Sequence, residues 1–182
     1  GNINKARIEK TRLFFENRNL FCGLLFGEIL KAKKKAQSKG FNFSVRINGT
    51  SDLDLRLFNY NGINVLDQFS DVQFYDYTKV LNRFDKITAQ NYDLTASFSG
   101  YNMPQCIDIL SSNKGRVAMV FEGKTLPSSF MGFKVIDADI NDIRYINETG
   151  VICGLRFKKV RNKIDTSNNA FIIPANSLFS TY

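Results

Sequence analysis

The sequence predicts an α/β protein: a mostly parallel sheet of about six strands with βα units, compatible with a partial, open barrel, and two N-terminal helices packed on it. Three observations carry that prediction. Apolar residues in the first forty positions recur three and four apart, the period of a helix with one buried face. Beyond Gly40 the texture becomes short runs of apolar, β-branched and aromatic residues, as strands require. Short helical patterns separate these runs, in units of roughly 20–30 residues, and such alternation favours right-handed crossovers and parallel pairing.

In chain order, "NINKARIEKTRLFFEN" reads as the first helix, with Asn17 and Asn19 punctuating its end. The second places Phe21, Leu24, Leu25, Ile29, Ala32 and Ala36 on one face and stops at Gly40. The strand patterns are "FSVRI" (43–47), "DVQFYDY" (71–77), "YDLTASF" (92–98), "GRVAMVF" (115–121), "FKVIDADI" (133–140), "GVICGLRF" (150–157) and "AFIIP" (170–174). Helical patterns fall at "INVLDQF" (63–69), "TKVLNRF" (78–84) and "MPQCIDILSSN" (103–113). From about Asp137 the helices shorten, which predicts an irregular end to the sheet. With 182 residues and 43% hydrophobic content, the chain can bury one core. It reads as one α/β domain over 1–182: a helical basic segment (1–40), a βα core (41–160) and a C-terminal strand and tail (161–182).

Charge and composition exclude several classes. The net charge of +8 is concentrated in residues 1–40, net +7, and in "RFKKVRNK" (156–163), net +5, while the remainder is net −4. A basic edge attracts nucleic acid or another polyanion, and the candidate contacts are Lys31, Lys34, Lys35, Lys158, Lys159 and Arg161. The plainer reading of "KAKKKAQSK" is a solvated helix face. No His occurs, which removes imidazole bases and His-containing metal sites. Cys22, Cys106 and Cys153 are far apart and form no CxxC, which argues against a disulfide framework and for a reducing compartment. No metal site and no cofactor is expected from this chain alone. No apolar run reaches ~18 residues, so no membrane span is expected; with no leader pattern and the cysteine usage of a reducing compartment, a cytoplasmic location is expected. Gly1 in place of Met reads as a processed, excised or tagged start.

Parallel α/β folds bind ligands at the carboxyl ends of their strands. The first strand is followed by Asn48, Gly49, Thr50, Ser51 and Asp52, with Arg46 leading in. The second ends in Tyr75, Asp76, Tyr77, Thr78 and Lys79, and the third in Ser97 and Ser99. That concentration of hydroxyl, amide and carboxylate groups marks the candidate site. Asp52, Asp76 and Lys79 are its candidate catalytic groups, the two carboxylates as an acid–base pair or metal ligands and Lys79 as a phosphate ligand or desolvated base. The other residues named would bind ligand. Each also has a structural explanation: Asp52 with Ser51 can cap a turn, and Asp76 and Thr78 can cap the next helix. "DADINDIRY" lacks the Gly and Glu of a calcium loop, and no phosphate-loop, dinucleotide, nucleophile-elbow or kinase motif is present.

Several stretches resemble the phage-associated gene product eighty-eight family, whose biochemistry is unsettled: "ARIEKTRLFFENRNLF" (6–21), "VRINGTSDLDL" (45–55), "FSDVQFYDYTKV" (69–80), "NYDLTASFS" (91–99), "GRVAMVF", "KVIDADINDIRY" (134–145) and "GVICGLRFK" (150–158). They cover most of the chain in the same order. The resemblance implies a Cys-rich segment upstream, supplied by a missing N-terminal stretch or a partner chain, as in iron–sulfur proteins built on a partial β/α barrel. The three cysteines here are not such a ligand set. It also implies a site over Arg46, Asn48, Gly49, Ser51, Asp52 and Tyr75–Lys79.

Three functions are therefore expected in order. The first is a phage-type protein binding nucleic acid or a phosphate-bearing ligand at its strand ends. The second is an enzyme or enzyme remnant using the same cleft. The third is a structural or interaction protein of a phage, for which a large exposed apolar patch would speak.

Overall fold

The computed structural model describes residues 2–158 and 169–174. The predicted Lys159 and Arg161 contacts lie outside them. Helix α1 (Asn2–Glu16) is followed by α2 (Arg18–Ser38), then β1 (Ser44–Val45), a 3-10 turn (Leu55–Leu57), β2 (Asn59–Tyr60), β3 (Ile63–Asn64), α3 (Val65–Gln68) and β4 (Gln73–Thr78). A second 3-10 turn (Leu81–Lys86) precedes β5 (Tyr92–Ser97), α4 (Met103–Ser111), β6 (Arg116–Phe121), β7 (Ser129–Phe130), β8 (Phe133–Asp137), β9 (Ile152–Arg156) and β10 (Ile172–Ile173).

The hydrogen-bonded order of the large sheet is β1-β4-β5-β6-β9-β8-β7, with β10 beside β6. It has two ends and does not close into a barrel. Its β1–β4, β5–β6, β6–β9, β8–β9 and β6–β10 ladders are parallel, and β7 is antiparallel to β8. This is the mostly parallel α/β sheet that the sequence predicts.

The chain forms two compact units: one runs through Phe74 and includes Ala89–Tyr92, the other comprises Tyr75–Thr88 and the chain from Asp93 onward. In the first unit, α2 begins where the Asn17 side chain accepts a hydrogen bond from the Leu20 backbone N–H, a standard N-cap. It ends at Ser38, and just past its cap Lys39 the chain turns at Gly40, whose φ of +67° glycine adopts at no cost. Its buried face carries Cys22, Phe26 and Ile29. Leu24 and Ala32, expected on that face, point to solvent. The stripe is rotated because Phe26 packs edge-on against Phe69 and Tyr60, and aromatic burial outweighs that of an alanine. Phe14, Phe21 and Phe58 form a second aromatic cluster.

Two predicted helices are corrected. "INVLDQF" is helical only from Val65, because Ile63 and Asn64 pair with Asn59 and Tyr60 as a hairpin. Asn61 and Gly62 occupy its turn at φ +49° and +82°, the conformation of a tight hairpin turn that Asn-Gly favours. "TKVLNRF" forms a 3-10 turn at Leu81–Lys86 in place of an α-helix, because Thr78 is still the last residue of β4.

In the second unit one sheet face is covered by α4. Cys106, Ile109 and Leu110 pack there with Ala96, Val117, Met119, Phe121, Ile152 and Ile173. The opposite face holds Ala118, Ala138 and Cys153 with Tyr77, Ile136 and Leu155. Beta strand β5 pairs with the first half of β6, and β10 pairs with its last two residues. Gly100 permits this exchange: a Cβ there would stand 2.7 Å from the Ala170 backbone, and its φ is +94°.

Candidate functional site

The stretch after β1 folds back on itself around one side chain. Asn48 is 2% exposed. Its Nδ2 donates to the Leu53 carbonyl at 2.8 Å, and its Oδ1 accepts from Ser51 Oγ at 2.7 Å and from the Leu53 backbone N–H at 3.1 Å. Asn48 is therefore the internal brace of the loop, and Ser51 is partly occupied in holding it; the ligand-binding role expected of Asn48 gives way to a positioning one. Gly49, Thr50 and Ser51 are exposed on the loop's outer surface, and a Cβ on Gly49 would meet nothing within 4 Å. Asp54, two residues beyond Asp52, caps the following 3-10 turn through the Arg56 N–H and pairs with the Arg56 guanidinium. Asp52 and Arg46 are half-buried in the same segment.

This loop forms one wall of a groove of about 390 Å³ within the first unit. The groove is lined by Ile47, Gly49, Thr50, Ser51 and Leu53 from the loop, Arg7, Lys10, Thr11, Phe14 and Phe15 from α1, and Phe21 and Phe58. Arg7 and Lys10 are exposed, while Phe15 is 66% exposed and stands edge-on to Phe14 at 5.3 Å. Arg18 lies over the Phe14 ring at 4.7 Å, a cation–π contact that holds positive charge nearby. Two cations, three hydroxyls and aromatic side chains thus share one opening. Sequence reasoning found the loop but missed Arg7, Lys10 and Phe15. Their signal was the helical spacing of Arg7, Lys10 or Thr11, and Phe14 or Phe15, three to four residues apart on α1.

The predicted residues at the ends of β4 and β5 lie in the second unit. Alternation along β4 buries Asp76 and Thr78 on one face and leaves Tyr75 and Tyr77 half-buried on the other. Thr78 Oγ1 accepts from the Val80 N–H at 3.0 Å and from buried Arg83 at 3.3 Å, so Thr78 serves the turn after β4. Asp76, only 1% exposed, is withdrawn from solvent. Lys79 is exposed, which suits a phosphate contact and not a base held out of water. Tyr75 packs on Tyr145, and Tyr77 Oη donates to the Asp142 carbonyl. The Ser97 and Ser99 backbones are bridged by Asn102: its Nδ2 donates to the Ser97 carbonyl and its Oδ1 accepts the Ser99 N–H.

At the far strands, ion pairs occupy the carboxyl ends. Arg156 binds Asp137 and Asp139, its Nε donates to the Lys124 carbonyl, and Lys158 also reaches Asp139. Lys158 is thus drawn partly into this network, although its side chain is 81% exposed. Arg156 holds the Asp137 carboxyl below the usual range. Burial pushes Asp139 upward, but the Arg156 N–H, Lys158 and the Arg156 guanidinium outweigh it and the carboxyl is lowered.

The iron–sulfur cluster that the resemblance implies requires gathered, ionised thiols. Cys22 sits in α2, Cys106 in α4 and Cys153 in β9, all buried and unpaired. Burial raises all three thiols, Cys106 to about 11. These residues do not fit a cluster, and among the described residues no group of three or more His, Cys, Asp or Glu gathers to hold a metal. No helix among them is long and apolar enough to cross a membrane.

Fold and groove define an open, mostly parallel α/β protein with a cationic, aromatic-lined opening behind its first strand. The chain belongs to the gene product 88 family, whose model matches residues 1–172. No curated protein and no solved structure matches it.

Proposed function

We propose that this protein binds a phosphate-bearing polyanion, with nucleic acid foremost, in the groove between α1 and the loop after β1. The observation that carries this reading is the presence of Arg7 and Lys10 on the wall facing the Thr50 and Ser51 loop. Cations supply the non-specific attraction to phosphate, and the hydroxyls of Thr11 and Thr50 on the groove walls give it local partners. The net charge of +7 over residues 1–40 extends the attraction beyond the groove. Lys31, Lys34 and Lys35 are exposed on α2 and strengthen it. Lys33 is engaged with Asp71.

A filter-binding titration against labelled nucleic acid tests the reading. Binding should be measurable at low salt and weaken steeply as salt rises, because each phosphate contact releases a counterion. Arg7→Ala with Lys10→Ala should flatten the plot of log affinity against log salt by about 1–2 units, at roughly 0.7–0.9 per contact. Absence of binding at low salt refutes the proposal.

A further inference from the structure

We infer that the occupant of the α1 groove is a single-stranded nucleic acid, with one unpaired base stacked on Phe15 and its phosphate held by Arg7 and Lys10. The inference rests on the phosphate-binding reading above and narrows its ligand.

Phe15 is the deciding residue. Helix α1 has a buried aromatic, Phe14, at 2% exposure, beside which Phe15 remains 66% exposed. Phe14 already receives Phe15, Phe21 and Phe58 around its ring and Arg18 over it. Phe15 therefore adds little to that cluster; it lines the groove and keeps most of its surface exposed. An exposed phenyl within reach of two cations is the combination that single-strand binders use: a ring for the base and positive charge for the backbone. Phosphate-only recognition would use the cations and hydroxyls without the ring. The groove's volume of about 390 Å³ lies at the small end of small-molecule sites, so it takes a nucleotide unit and not a folded partner. In a duplex the base faces are covered by their neighbours, which leaves only the phosphate contacts. Gly49 fits the same use, since its backbone faces open space where a sugar-phosphate can approach.

The test is fluorescence anisotropy of the full chain with a labelled single-stranded DNA oligonucleotide, a blunt duplex of the same sequence, and inorganic polyphosphate as competitor. The single strand should bind at least about 5-fold more tightly than the duplex at equal salt. Phe15→Ala should lose about 5-fold or more for the single strand, the scale of one lost stacking contact, and leave duplex and polyphosphate binding unchanged. Phe15→Trp should restore the preference. An unchanged circular-dichroism spectrum and melting temperature show that Phe15→Ala is folded, as its exposure predicts. Equal binding of all three ligands, or a Phe15→Ala variant identical to wild type, overturns the inference and leaves the phosphate reading standing. Failure of every ligand to bind at low salt overturns both.

Discussion

Single side chains decide most of the chemistry in this molecule, and several do so by staying out of solvent. Asn48 spends its amide on the Ser51 hydroxyl and the Leu53 backbone, which fixes the loop it was expected to offer to a ligand. Arg116, 4% exposed, places Nη1 2.9 Å from both Asp93 oxygens and Nε against the Asn147 and Glu148 carbonyls. It ties two strands to the loop before β9. Thr95 lies opposite Arg116 in the β5–β6 register, 1% exposed. Its Oγ1 has no hydrogen-bond partner among the described residues. A buried unmet hydroxyl costs about 1–3 kcal/mol. Thr95→Val keeps the shape and removes that cost, so it should raise stability by about 1 kcal/mol, read as a higher urea midpoint. A lower midpoint would mean that the hydroxyl is satisfied in solution.

At the scale of elements, short strands are held by what happens at their ends. Beta strands β8 and β9 are closed by Arg156 between Asp137 and Asp139. Both carboxyls are lowered in the folded chain. A carboxylate lowered on folding stabilises the fold above its unfolded-state value, about 3.9, and that contribution is lost as pH falls through the folded value. The urea midpoint should therefore drop as pH falls below about 4, with a shallower drop in Asp137→Asn. An identical acid limb in that variant would assign the loss to other groups. The hairpins show how unequal local signals are. Asn61-Gly62 is a strong turn dipeptide that the periodicity of "INVLDQF" overrode. Met131-Gly132 turns the β7–β8 hairpin with Met131 at φ +50°, a conformation with no sequence signal in methionine.

For the molecule as a whole, charge is the property with reach. Reversing Lys31, Lys34 and Lys35 to Glu removes cations that are exposed and outside the groove. Such charges steer encounter more than they hold the bound ligand. Stopped-flow association with single-stranded DNA at low salt should slow several-fold, while the preference for single strand over duplex survives. A variant with an unchanged association rate would confine the electrostatics to Arg7 and Lys10.

The sequence by itself determined the class of the fold and the run of strands. The runs "DVQFYDY", "YDLTASF" and "GRVAMVF" appear as β4, β5 and β6: β4 buries every second side chain, a period-two imprint, while β5 and β6 are buried along most of their length, as central parallel strands are. It also placed "NGTSD" just past the first strand, since small polar residues interrupt that period. Only the tertiary structure decided what those residues do. Whether Asn48 faces a ligand or its own loop depends on where Leu53 returns. Whether Lys79 is desolvated depends on which elements cover it. Whether Phe14 or Phe15 is buried depends on Phe21 and Phe58, which arrive from other parts of the chain. The first turns on a local fold-back of five residues and the others on packing between elements, and a one-dimensional period carries no record of either. Arg7, Lys10 and Phe15 became a candidate site when α1 was seen beside the loop after β1.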